Sequence, residues 1–253
     1  MDDVVTGRLR LAVVLGTCAV VSAACGANSD DTAPSTTAPA PAAVSAPDPL
    51  AGPPITDSSV LQSAMIPLES LPPGYTVIPD PVRDLGLDPA PEYDAPDQSG
   101  TDPQRCADVL APISQQFADA AASAEVRYSG PDFSSIDEDA ASYVDRGAAD
   151  AFAAVQATFA ECATFTGTDA DGIDVAYTLS GRDGDVTAGD ASVAARLQIE
   201  SGGFTLVSDV VVAVVDSTVV QVVATDEDGV DDATLSALAQ AAVDGIRGVA
   251  RGV

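Results

Sequence analysis

The sequence predicts an α+β fold in which an antiparallel β-sheet packs with helices as an α/β sandwich, preceded by an export signal and a Pro/Ala-rich tether. Three observations carry this. Ile173, Val175, Tyr177 and Leu179 alternate with Asp174, Ala176 and Thr178, and Val193, Ala195, Leu197 and Ile199 alternate with Ala194, Arg196 and Gln198, the period of strands with one face inward. Phe152, Val155, Phe159 and Cys162 instead recur at helical spacing, as do Leu235, Leu238, Ala242, Ile246 and Val249. A strand meander closed by a helix buries its apolar face most simply when that helix lies across the sheet.

The chain opens with Arg8 and Arg10, an apolar run from Leu11 to Val21, and the small residues Ser22-Ala23-Ala24 before Cys25. That is the pattern of an export signal ending in a lipobox, so residues 1–24 are read as a lipoprotein signal peptide and Cys25 as the acylated first residue of the mature chain. Ser22 stands where a lipobox usually has Leu, and ordinary cleavage after Ala24 would release a soluble secreted protein instead. A retained membrane span needs about 20 apolar residues and this run has about 14. Cys18 is discarded with the signal.

Residues 25–55 are read as the lipidated cysteine and a disordered linker, because Ala, Pro, Ser, Thr, Asp and Gly dominate and no apolar periodicity offsets the entropy of ordering them. A Pro-rich tether is semi-extended and lets a domain stand off the membrane. Residues 56–253 are long enough for a single domain with a core of its own.

Within that domain Asp57 or Ser58 caps a first helix carrying Val60, Leu61, Ala64 and Met65, which Pro67, Pro72 and Pro73 terminate. Leu71 to Val77 leads into a short strand, and Asp80 to Ser99 reads as a loop. Asp102-Pro103 resembles a helix start, placing Cys106, Val109, Leu110, Ile113 and Phe117 on one face. Glu125 to Tyr128 reads as strand and Phe133 to Val144 as a strand or strand-like turn. A helix from Gly147 to Cys162 follows, and then the meander. Phe204 to Val215 and Thr218 to Thr225 form a hairpin around Asp216-Ser217. Val210 to Val215 is apolar on both faces, which suits a central covered strand. The last helix starts near Asp231.

Cys106 and Cys162 are the two cysteines left after the anchor, both on inward faces and in an oxidising compartment, so the sequence predicts a disulfide between them. Its spacing and surroundings lack the Cys-x-x-Cys pattern and nearby cation of a redox-active pair.

Composition excludes several functions. The chain has 39 acidic residues against 10 basic ones, a formal net charge of −29 and no histidine. It also lacks lysine, and removing residues 1–24, with Asp2, Asp3, Arg8 and Arg10, leaves that charge unchanged. Such a surface repels nucleic acid and anionic lipid headgroups. Without His or Lys there is no Ser-His-Asp or Cys-His dyad, no phosphate-loop lysine and no Schiff base, and no Gly-x-Ser-x-Gly elbow occurs. Paired carboxylates remain available for glycoside chemistry, but five Tyr and six Phe offer few sugar platforms. The chain is read as no enzyme, with no cofactor and no metal.

Three acidic clusters were weighed as calcium sites: Asp169, Asp171 and Asp174; Asp183, Asp185 and Asp190; and Asp226, Glu227, Asp228, Asp231 and Asp232. None has the twelve-residue EF-hand spacing with its closing glutamate. In so acidic a chain such clusters arise by chance, and capping and the macrodipole also account for aspartates beside a helix start.

The order of a lipobox cysteine, a Pro-rich tether, Leu71-Pro72-Pro73-Gly74-Tyr75, a cysteine opening one helix and a cysteine closing an Ala/Phe helix, a Val-rich hairpin and a final Leu/Ala helix resembles one family. It resembles actinobacterial envelope lipoproteins related to the extracellular sensor domain of mycobacterial receptor Ser/Thr kinases. The resemblance covers roughly residues 57–253 and rests on short motifs. It implies an α/β sandwich with a cleft and a role in sensing or binding a ligand. That family's second disulfide has no cysteines here, and with no kinase part only a binding module carries over.

The function expected is a cell-surface lipoprotein, anchored to the membrane by its lipid on the extracytoplasmic face, that binds or senses a small envelope ligand. The alternative is a structural or adaptor lipoprotein docking another envelope protein. Tyr75, Tyr128, Tyr143 and Phe133 are the candidate pocket walls, each with core packing as its competing explanation.

Overall fold

The computed structural model describes residues 39–80, 84, 86–88, 99–182 and 186–251. The signal peptide, Cys25, most of the loop after Asp80, and Asp183 and Asp185 lie outside the described residues. Among the described residues no helix is long and apolar enough to cross a membrane.

Nine antiparallel strands form one sheet: β1 (Thr76–Val77), β2 (Gly100–Asp102), β3 (Ala122–Ser129), β4 (Ser135–Ser142), β5 (Thr164–Thr168), β6 (Asp174–Gly181), β7 (Ala191–Ser201), β8 (Phe204–Val215) and β9 (Thr218–Asp226). Their spatial order is β1-β3-β4-β9-β8-β7-β6-β5-β2, which puts the Val-rich β8 in the middle. Both of its faces are covered. Val211, Ala213 and Val215 pack with Leu61 of α1 (Ser58–Gln62) and with Leu235, Leu238, Ala242 and Ile246 of the C-terminal helix. Val210, Val212 and Val214 pack with Phe152, Val155, Phe159 and the two cysteines on the opposite side. Near-continuous apolar sequence is what a strand needs when neither face meets water.

Turn chemistry fixes the register of this hairpin stack. Gly202 and Gly203 have φ of 56° and 85°, as a two-residue turn matching the strand twist requires, and they pair Ser201 with Phe204. Asp216, at φ 54°, turns β8 into β9.

The helix from Gly147 forms as expected, as α3 (Gly147–Glu161) with Cys162 as its C-cap. The last helix, α4 (Asp232–Ala250), begins where the sequence placed it, its Asp231 cap accepting from Thr234 N at 2.7 Å. Asp57 likewise caps α1 by accepting from Ser59 N at 2.8 Å, but α1 ends at Gln62, short of the expected Met65.

Two expectations are corrected. The helix predicted after Asp102-Pro103 is instead a 3-10 turn (Gln104–Asp108) and a four-residue helix α2 (Ile113–Gln116). Asp102 belongs to β2, paired with β5, and Pro112 between the two turns removes an N–H and holds an extended φ/ψ that a continuous helix cannot accept. Cys106, Val109 and Ile113 are buried regardless.

The second correction concerns the linker, since its described residues, 39–55, pack against the folded elements. Gly181 N donates to Pro39 O at 2.7 Å, and the Gln156 side chain brackets Val44, accepting from its N and donating to its O. Asp48 pairs with Arg146 at 2.6 Å, and buried Ile55 donates its N–H to Ser142 Oγ at 2.9 Å. Proline-rich composition rules out a helix but not an extended strap whose partners come from elements already folded.

Cys106 and Cys162 form the expected disulfide, with Cα atoms 5.7 Å apart and a sequence separation of 56. Closing such a loop contributes about 4 kcal/mol in the chain-entropy account.

Candidate functional site

On the face of the sheet that carries α3, strands β3, β4 and β9 present polar side chains rather than valines. Register sets them in rows. Glu125 lies opposite Asp139 and Asp139 opposite Gln221; one row further, Arg127 lies opposite Asp137 and Asp137 opposite Val223. The segment from Leu110 to Gln115 runs over these rows, leaving a cleft of about 460 Å³ whose lining includes Glu125, Arg127, Asp137, Asp139, Gln221 and Pro112. Volumes of about 300–1,000 Å³ are usual for small-molecule sites.

The roof is tied at both ends. Cys106 fastens it to the end of α3, while Ile113 N donates to Asp139 Oδ1 at 2.7 Å and Gln221 Nε2 donates to Ala111 O at 3.2 Å. Gln221 Nε2 also reaches Asp139 Oδ2 at 3.0 Å. Gln221 is 1% exposed, yet its Oε1 has no hydrogen-bond partner among the described residues. A buried acceptor left unsatisfied costs about 1–3 kcal/mol.

The electrostatics are dominated by carboxylates. Burial pushes the Asp139 carboxyl up to about 7, against the lowering effect of its bonds to Ile113 N and Gln221. Arg127 is the one cation in the lining and is paired with Asp137 at 2.8 Å. Behind the cleft, on the other face of β4, Glu138 is buried against the α1 side, accepts from Ile66 N at 2.6 Å and is pushed by burial up to about 8.

A larger depression of about 860 Å³ opens where β2, β5, β6 and the β7–β8 turn meet, lined mostly by Gly, Thr and Ser. It includes Asp102, Asp174 and Glu200 and the 81% exposed Phe204, but none of the buried polar side chains. The polar cleft is the stronger candidate because buried polar groups converge there.

None of the four aromatic residues expected as walls lines the cleft. Tyr128 and Tyr143 are core residues whose hydroxyls donate to Ile66 O and to Phe117 O, the latter at 2.8 Å. Tyr75 packs at the edge of the core, and Phe133 is 90% exposed in a turn with φ 63°. Sequence reading missed Glu125, Arg127, Asp137, Asp139 and Gln221. The available signal was Gln221, alone and polar in Thr218-Val219-Val220-Gln221-Val222-Val223.

The acidic clusters have local partners. Asp169 Oδ1 accepts from Asp171 N and Ile173 N, both at 2.9 Å, closing the β5–β6 turn. Asp190 binds Asp216 N and Arg247, Asp231 caps α4, and Asp232 pairs with Arg182. No group of three or more such residues could hold a metal ion among the described residues.

Sheet, helical layers and polar cleft together define an α/β sandwich. Its structure is similar to the extracellular domain of PknH from Mycobacterium tuberculosis, with a TM-score of 0.53 over 78% of this chain and 100% of that one, at 14% identity. At that identity the likeness is one of fold, and it is the fold the sequence resemblance implied. An Rv0999 ortholog from Mycobacterium smegmatis aligns with a TM-score of 0.37 at 17% identity, over 76% of this chain and 97% of that one. No family model and no curated protein matches the sequence.

Proposed function

We propose that the protein is an extracytoplasmic ligand-binding or sensing module, held to the membrane through acylated Cys25, and that the cleft between the sheet and the Leu110–Gln115 roof takes the ligand. One observation supports this above the rest: Gln221, 1% exposed in a valine-rich strand, lines the cleft, and its side-chain oxygen has no partner among the described residues. The fold it shares with an extracellular domain supports the location and the sensing role. The reading is non-enzymatic, since nucleophile–base pairs built on His or Lys are unavailable to this chain.

Native mass spectrometry of the oxidised full chain, incubated with an actinobacterial envelope extract, tests it. A discrete retained mass that disappears on denaturation is expected. A clean apo mass contradicts the reading and favours the second one, an adaptor docking another envelope protein. Phe204 supports that alternative, standing exposed at the tip of the β7–β8 hairpin.

A further inference from the structure

Resting on the reading of the cleft as a ligand site, we propose that Asp139 and Gln221, side by side in one row of the sheet, receive a primary ammonium group, so that the ligand is a small amine with an apolar body. The cleft offers acceptors and few donors. Both oxygens of Asp139 are engaged by neutral N–H groups, from Ile113 and Gln221, and no cation pairs with it among the described residues. Gln221 uses its NH2 on Asp139 and Ala111, which leaves Oε1 as an acceptor that only a donor from outside can satisfy. Arg127, the cation of the next row, is committed to Asp137.

A carboxylate with no counter-charge and a buried amide oxygen beside it select against anions, and against neutral groups that bring one proton where several acceptors converge. An ammonium brings three N–H donors and a positive charge. Leu110, Pro112 and Val223 supply the apolar part of the lining, where the body of such a molecule would lie. Holding the roof explains the Asp139 bonds and the NH2 of Gln221, but it gives Oε1 nothing to do.

The test is an NMR titration of the oxidised full chain with benzylamine, benzyl alcohol and benzoate, three probes of one size that differ in the polar group. Benzylamine is expected to shift the Gln221 side-chain amide and the Asp139 backbone amide saturably, with a Kd at least tenfold below that of benzyl alcohol, and benzoate not to bind. Gln221→Leu leaves the net charge unchanged and is expected to weaken benzylamine several-fold, which general attraction to an acidic surface would not produce. Asp139→Asn should bring the amine-to-alcohol ratio close to one; if that variant does not fold, Gln221→Leu carries the comparison.

Equal affinity for amine and alcohol, preference for benzoate, shifts away from this row, or no binding of benzylamine overturns the proposal. Binding of the alcohol as tightly as the amine, or of benzoate, in the row would leave the ligand-site reading standing while removing the amine. Absence of all three would remove the amine, and the retained-mass experiment would decide the cleft independently.

Discussion

Four buried polar side chains sit where an apolar residue would pack more simply, and they divide by what holds them. Asp209 on central β8 is fully buried, which by itself would raise its carboxyl, but hydrogen bonds from Arg196, Arg182 and Val230 N outweigh that and hold it below the usual range. Gly229, at φ 75°, closes this knot, because a Cβ there would come within 2.6 Å of Asp209 Oδ2. Glu138 pairs with no cation among the described residues, and burial outweighs its bond from Ile66 N and raises its carboxyl to about 8. Its folded value, about 8, exceeds the ordinary 4.5, so its favourable state is complete below about pH 4.5 and lost as pH rises through 8. Chemical denaturation from pH 5 to 8 should show stability falling by up to about 1.4 kcal/mol per pH unit from this group. Glu138→Gln should flatten that slope; an unchanged slope would assign it to repulsion among the many surface carboxylates instead.

None of these four roles was legible in the sequence, because each depends on cross-strand register. Asp139 and Glu138 are neighbours on β4, yet face opposite sides of the sheet. Gln221 becomes informative only once its strand is known to be covered on both faces.

Among the elements, those with strong periodicity or unambiguous turns were legible: α3, α4, β6 to β9 and the Asp216-Ser217 turn. The weak ones are pieces whose conformation is imposed by partners far away. Residues 102–117 satisfy a helical apolar pattern, but Pro112 and the pairing of β2 with β5 break it into turns, and the resulting irregular segment becomes the roof of the cleft. Residues 39–55 carry no periodicity at all, and their order comes from Gln156, Arg146, Ser142 and Ser217. A chain beginning at Thr56 should therefore lose about 2–4 kcal/mol, from uncovering the apolar surface that Ile55 and Leu50 pack against and removing these bonds. Urea unfolding of the two lengths measures this, and equal midpoints would show that the strap adds nothing.

At the scale of the whole molecule, the sheet supplies two different faces. One packs α1 and α4 over a conventional apolar core, while the other shares its surface between α3 and a polar recess under the roof. The disulfide joins α3 to that roof, so the covalent staple that the sequence assigned to stability also fixes one wall of the recess. A chain of net charge −29 with a recessed, acceptor-rich cleft fits the proposed capture of a small molecule better than it fits nucleic-acid binding.

The most direct test of the central claim is an amide chemical-shift map of the oxidised full chain with and without the small-molecule fraction of an actinobacterial envelope extract. Saturable shifts concentrated at Ala111, Ile113, Glu125, Asp139 and Gln221 are the predicted result. Shifts confined to the β7–β8 turn and β2, or none anywhere, would contradict the assignment of the cleft as the functional site.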